Sequence, residues 1–308
     1  MASSSPESIV VPPMVADAVA RALGRLDLQF RPALGGTNAR TFVVEQGEER
    51  WIVRIEPGDG LQLRRAHTAQ DMARAAGVRV PSVVAHDFTS VQPESWLWVV
   101  EEYVVGEPFD VLQWDAAGTH AISYELGAQL RALHAVPMER FGLVEPNPYP
   151  AFGTFAEWID HQASRIAHGL RIANIPAHVL PAVEERYSLL RSAYSDVPRL
   201  CHGDTSGANL LAMADGHLTL IDWEWARGAD PAWNIGYWFF WHQNAAALDS
   251  LLRGYQPDDT EDIRRRVLAY EVFQAVDLIL VYADQDDPAG IAFTRRRLAA
   301  ALGDRAWT

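Results

Sequence analysis

The sequence contains a single cysteine, Cys201, among its 308 residues. No disulfide can form within the chain, and a reducing cytosol is the expected setting. Structural zinc sites that need two or more cysteines are excluded with it. Positive charge is also scarce: Lys and Arg together number 26 against 40 Asp and Glu, a formal net charge of −14. That balance argues against nucleic acid as a partner, because phosphate backbones select basic surfaces. It suits solubility first and a cationic small molecule second. Long hydrophobic runs are missing too. The most apolar stretches, Trp233 to Trp241 and Val276 to Tyr282, are too short or carry a charge. No transmembrane helix, and so no membrane partner, is expected. Residues 1–13 are rich in Ser and Pro but lack the basic start and apolar core of a signal peptide.

What is present is an ordinary globular composition, with 49% hydrophobic and 21% charged residues. The length allows two lobes with a real core. After a loose tail over 1–12, the pattern predicts a helix over 15–26. Strands follow over 41–45 and 51–55, with the turn 46–49 between them. A helix over 61–76 ends at Gly77, and strands over 83–88 and 96–103 complete a small mixed unit. Val105-Gly106-Glu107-Pro108 then breaks the pattern. Beyond it the chain is mostly helical, over 122–136, 155–170, 180–194, 233–252, 261–282 and 289–302, with short strands around 210–211 and 218–221. The expected fold class is α+β in two lobes: a β-rich N-terminal lobe over 1–104 and a helical C-terminal lobe over 105–308, joined by a hinge at 102–108.

The densest chemistry lies in His202-Gly203-Asp204-Thr205-Ser206-Gly207-Ala208-Asn209, followed by Ile221-Asp222-Trp223. Asp204 precedes Asn209 by five residues, and Asp222 follows Asn209 by thirteen, at the end of the apolar run Leu218 to Ile221. Phosphoryl transfer needs a base to orient an attacking hydroxyl and hard oxygen ligands for Mg²⁺ over the phosphates. Asp204 is the candidate base; Asn209 and Asp222 are the candidate Mg²⁺ ligands. Any one of them alone would read as a loop or cap residue, but the joint spacing does not. His202 is either a catalytic proton carrier or, the favoured reading, a residue that orients the loop. The order and residue types match the protein-kinase pattern H-R-D-x-x-x-x-N then D-F-G, with Gly203 in place of Arg and Trp223 in place of Phe.

These motifs resemble the aminoglycoside phosphotransferase family, small-molecule kinases with a protein-kinase-like fold. His202-Gly203-Asp204 to Asn209 matches that family's H-G-D-x-x-x-x-N, Asp222 its metal-binding Asp, and Asp230-Pro231 the pair that follows. Val80-Pro81, Glu102-Tyr103-Val104-Val105-Gly106 and Leu130-Arg131-Ala132-Leu133-His134 fit as well. Asn234 to Trp241 and the long helix through Asp277 look most like hygromycin B phosphotransferase. The resemblance implies an ATP site between the lobes. It assigns Gly35, Gly36, Thr37 and Asn38 to the turn over the phosphates, Arg54 to the α- and β-phosphates, and the backbone of Glu102 and Val104 to adenine. Two positions depart from the family. Residues 61–70 contain no Asp or Glu to pair with the strand cation, so either Asp71 takes that part or Arg54 is held by Asp222 and the phosphates. Asn234 stands where an Asp commonly braces the catalytic loop; it keeps an acceptor oxygen and loses the charge.

For the acceptor, Glu224, Asp277 and Trp238 are the candidates. The tryptophan cluster at 223, 225, 233, 238 and 241 reads first as core packing and second as a platform for a ligand. The expected activity is ATP-dependent O-phosphorylation of an aminoglycoside-type, hygromycin-like antibiotic, which would confer resistance. The alternatives are a kinase of a small metabolite (amino alcohol, sugar or amino acid) and a nucleotide-binding pseudokinase.

Overall fold

Strict alternation of inward and outward residues builds the first sheet of the computed structural model, which describes residues 10–33, 40–89, 95–109, 114–147, 149–194 and 197–303. Five antiparallel strands run in the order β1 (Gln29–Pro32), β2 (Arg40–Gln46), β3 (Glu49–Pro57), β5 (Trp96–Glu102), β4 (Val83–Asp87). Phe42, Val44, Val53, Ile55, Trp98 and Val100 point to one face and pack with Val15 and Val19 of α1 (Pro13–Leu23). Burying each such side chain contributes on the order of 1.5–3 kcal/mol. The residues between them point the other way, where Leu97 and Val99 meet Leu63 of α2 (Leu61–Ala75). That second face carries Arg54, which the register sets opposite Val99. Pro12 caps α1 and Val11 is buried, so the tail expected over 1–12 is tied down at its end. Its first nine residues lie outside those described.

The connector after β5 does not run free. Its end, β6 (Glu107–Pro108), pairs with β9 (Leu210–Ala212), which pairs in turn with β10 (Leu218–Leu220). A second small sheet joins β7 (Gly142–Leu143), β11 (Arg227–Ala229) and β8 (Arg199–Cys201). The strand ends of these two sheets carry the 202–209 and 221–226 loops into the groove between sheet and helices.

Around them lie α3 (Ala116–His134), α4 (Phe155–Ala163), α5 (Ile166–Ile172), α6 (Leu180–Ala193), α7 (Pro231–His242), α8 (Ala245–Tyr255), α9 (Thr260–Asp284) and α10 (Pro288–Leu302). The long helix α9 is central, with α5, α6, α7 and α10 packed against it. Ile263, Val267, Tyr270, Phe273, Val276 and Ile279 are buried on several of its sides. No helix among the described residues is long and apolar enough to cross a membrane.

Two stretches expected as single helices are broken. Residues 155–170 divide into α4 and α5 at Ser164–Arg165. Residues 233–252 divide at Gln243, which adopts a left-handed φ of 44° to end α7, and at Asn244, whose side chain caps α8 by accepting from Ala247 N at 3.0 Å. At this second break, local cap chemistry overrode an apolar pattern that is continuous in the sequence.

Candidate functional site

Gly203 sets the shape of the 202–209 loop. Its φ is +93°, and a Cβ there would stand 1.9 Å from the Trp225 carbonyl oxygen. Only glycine meets both conditions, which explains why Arg of the protein-kinase pattern is absent at this position. His202 is fully buried against the Trp223 ring, with 4.4 Å between centroids. Its Nε2 lies 2.9 Å from Ile221 O, and its Nδ1 accepts from Asp204 N at 3.2 Å. Burial lowers its pKa, so the ring is neutral, with one nitrogen donating and the other accepting. Both nitrogens are spent on backbone. The catalytic assignment of His202 is therefore corrected: it holds the loop at 202–204 to the one at 221.

Asn234 on α7 performs the bracing. Its Oδ1 accepts from His202 N at 2.7 Å, and its Nδ2 donates to Thr205 Oγ1 at 3.2 Å. The Thr205 hydroxyl in turn lies 3.1 Å from Asn234 O. An amide supplies donor and acceptor together, which a carboxylate would not, so the departure from Asp costs no contact. Asp230, fully buried at the start of α7, accepts from Ala232 N at 3.0 Å and Tyr270 Oη at 3.1 Å, and it also pairs with Arg266. It fixes the helix that carries the brace.

Asp204 is partly exposed, and its Oδ1 accepts from Ser206 N at 3.1 Å. The hydroxyl of Tyr237, on α7, is a neighbour; burial and the Asp204 charge push its pKa up. Asn209 Nδ2 donates to Asp204 O at 3.2 Å, so its Oδ1 points away from that carbonyl. Ile221 N donates to Asn209 O at 3.0 Å, which ties Asn209 to the residue before Asp222. Asp222 has a φ of +64°, a left-handed conformation that is uncommon outside glycine and gathers at functional sites. Its side chain is 39% exposed to the cleft. A carboxylate and an amide oxygen are the hard donors that Mg²⁺ takes alongside phosphate and water, so this pair fits that ion.

Above them, Arg54 is held among three carboxylates: Asp222 at 3.1 Å, Glu101 at 3.4 Å and Glu224 at 3.7 Å. Burial works against its charge, and the three acids more than offset it, so its pKa rises. Of the two alternatives left open for Arg54, the structure has Asp222 as a partner. Asp71 is turned to Arg74, at 2.6 Å, and His67, at 3.5 Å. Glu101 escaped the sequence reading; the signal was an acid ending the apolar run of β5, on the strand paired with that of Arg54. Gln70, whose Nε2 donates to Glu101 Oε1 at 2.8 Å, was missed too.

Arg54, Glu101, Asp204, Asn209, Asp222 and Glu224 share the wall of one cleft of about 570 Å³. Ile52 lines it from the sheet, Leu211 and Ile221 from the helical side, and Glu102, Tyr103 and Val104 along the connector. An apolar slot of this size, with a cation and acidic groups at one end, suits a flat ring joined to a polyphosphate. Glu102 N is already bonded to Ser82 O at 2.9 Å. Gly35, Gly36, Thr37 and Asn38 lie outside the described residues.

The acceptor candidates are not gathered in this way. Trp238 is wholly buried, its ring 5.0 Å from that of His242, so it packs the core and presents no surface to a ligand. Glu224 is buried beside Arg54, and its carbonyl accepts from Arg65 Nε at 2.6 Å, which corrects its placement from acceptor side to Arg54 side. Asp277, half-buried on α9, pairs with Arg165 at 3.2 Å.

The fold, with a sheet lobe and a helical lobe around a cleft, is that of kinase-like phosphotransferases. The thermostable mutant of aminoglycoside phosphotransferase APH(4)-Ia, solved with ADP and hygromycin B, aligns at 16% identity over 96% of this chain and 99% of that one, with a TM-score of 0.71. APH(2")-IIia, solved with GDP and kanamycin, aligns at 14% identity over 95% and 99%, with a TM-score of 0.71. A candidate fructosamine-3-kinase from Thermobifida fusca aligns at 20% identity over 92% and 98%, with a TM-score of 0.64. Residues 29–268 match the phosphotransferase enzyme family, and the chain belongs to it. It is an enzyme that transfers phosphoryl groups.

Proposed function

We propose that this protein transfers the γ-phosphoryl group of ATP to a hydroxyl of an aminoglycoside-type compound. The observation that carries the transfer chemistry is the convergence of Asp204, Asn209 and Asp222 beneath Arg54 on one cleft wall. Adenine would lie between Ile52 and the Leu211–Ile221 side, against the connector at 102–104. Arg54 would hold the phosphates. Asp204 would orient the acceptor hydroxyl for in-line attack and take its proton. Asn209 and Asp222 would hold Mg²⁺, which when bound neutralises charge on the phosphates. In this reading residues 1–104 form the nucleotide lobe, and residues 105–308 carry the catalytic loop and the acceptor cleft.

The acceptor class rests on likeness to proteins solved with hygromycin B and kanamycin. ATP consumption over a panel of aminoglycosides, with mass spectrometry of the product, tests it. An added phosphate on one of them is the expected result, together with protection of bacteria expressing the protein. Turnover only of an amino alcohol, sugar or amino acid would replace it with the second reading, a metabolite kinase. That reading is favoured by one observation: Glu224 and Asp277, the acids expected to meet a cation, are already paired with Arg54 and Arg165. The pseudokinase reading has lost its two supports, since Asn234 braces the loop through both ends of its amide and Arg54 has acidic partners.

A further inference from the structure

We infer that Glu101 is the positioning residue of Arg54: it orients the guanidinium toward the phosphates from within the sheet, a part that Asp71, the one acid of α2, does not take. This rests on the nucleotide-cleft reading above.

Strand register makes the pairing geometric. In the antiparallel pair β3–β5, Arg54 faces Val99 and Ile52 faces Glu101. Val53, Ile55, Trp98 and Val100 point toward α1, so Arg54, Val99 and Glu101 share the opposite face. Arg54 and Glu101 are then diagonal neighbours, a spacing that long side chains bridge. Glu101 Oε2 stands 3.4 Å from Arg54 Nε, and the two side chains are only 10% and 13% exposed. A carboxylate that deep must be paired and hydrogen-bonded. Its second oxygen is satisfied by Gln70 Nε2 at 2.8 Å, and Gln70 is itself anchored to Pro81 O at 3.1 Å.

The need for an anchor follows from the cation. The chain contains no lysine; its Lys-plus-Arg total of 26 is all arginine. An ammonium offers the same point charge however it is turned, but a guanidinium presents its donors in a fixed plane. Glu101 holds the Nε edge as an ion pair, without a hydrogen bond there, and Asp222 accepts a hydrogen bond from Nη1. Both strands belong to one sheet, so a shift of α2 does not unpair Arg54. In this arrangement the phosphate cation is in place before any ligand arrives.

The test is nucleotide binding by the full chain, with adenosine as the control that carries no phosphate. For Glu101→Gln, the Kd for ADP without added metal should rise about tenfold and the KM for ATP with it, while the Kd for adenosine stays within about twofold. Gln70→Ala, which keeps every charge, should raise the ADP Kd by less, again sparing adenosine, and it serves if Glu101→Gln fails to fold. The swap Gln70→Glu with Glu101→Gln returns a carboxylate to the same hydrogen bond and should recover most of the ADP affinity. Unchanged ADP binding in Glu101→Gln would overturn the inference. So would equal loss of ADP and adenosine, which marks a merely structural role, or a folded swap no better than the single variant. Wild-type protein that binds neither compound would instead sink the nucleotide reading, and this inference with it.

Discussion

Asp204 and Gly203 are adjacent and have opposite kinds of importance. Asp204 is partly exposed, lines the cleft and is placed by a hydrogen bond from Ser206 N. Replacing it with Ala should lower phosphoryl transfer by roughly 10²–10⁴-fold, the range for loss of a general base. ADP affinity should hardly change, because the phosphate contacts assigned to Arg54 remain. Transfer near the wild-type rate in that variant would remove Asp204 from its role. Gly203 does not line the cleft. Its positive φ and the 1.9 Å approach to the Trp225 carbonyl mean that Gly203→Ala must displace the loop. A loss of about 2–4 kcal/mol is expected, the range for strained backbone positions with a clash. Urea denaturation of the variant measures it; a change below about 0.5 kcal/mol, the size of an ordinary surface substitution, would show that the loop relaxes freely.

Elements matter here mostly through their ends. The 202–209 loop is held from outside by one turn of α7, where Asn234 reaches His202 N and Thr205 Oγ1. Asn234→Ala would leave the buried His202 N–H without its partner, at about 1–3 kcal/mol, and remove one of the two hydrogen bonds of the Thr205 hydroxyl. The expected result is a lower denaturation midpoint together with a reduced kcat, because the loop that carries Asp204 loosens. Asn234→Asp keeps the acceptor and loses the donor to Thr205, so it should fall between the two. The break between α7 and α8 was legible only in retrospect. The apolar run from Trp233 onward continues past it, and the deciding feature is the cap that Asn244 makes to Ala247 N. A periodicity argument weighs many residues lightly, whereas a cap depends on one residue in one conformation.

At the scale of the whole molecule, the buried ionisable groups set the response to acid. His134, at the end of α3, is buried with Nδ1 3.2 Å from the Tyr255 hydroxyl of α8, and burial pushes its pKa down to about 3. In the unfolded chain it titrates near pH 6.5. Between those values the unfolded state binds a proton that the folded state refuses, so stability falls as pH drops below about 6.5. Above about pH 7 this group contributes no slope. Thermal melts should show a decline in Tm through that acid window, and His134→Asn should flatten it. Equal slopes in the two proteins would show that other groups govern acid unfolding.

The motif residues stood out because phosphoryl transfer calls for set residue types at set spacings, and the structure brings Asp204, Asn209 and Asp222 to one cleft. So could the order of a sheet lobe followed by a helical lobe, because alternation and helical periodicity are local properties. The single cysteine and the acidic balance likewise needed no structure. Partnership across the chain did need it. Glu101 is separated from Arg54 by α2 and β4, and only strand register brings them onto one face. Trp238 and Asp277 looked alike in sequence as candidates near a cleft, yet packing buries the first and pairs the second with Arg165. His202 carried the residue type for proton transfer, and its surroundings took both nitrogens for the backbone. A side chain's type is written in the sequence. Whether its polar atoms reach a ligand or are consumed by the protein depends on which distant backbone folds against it, and that is decided in three dimensions.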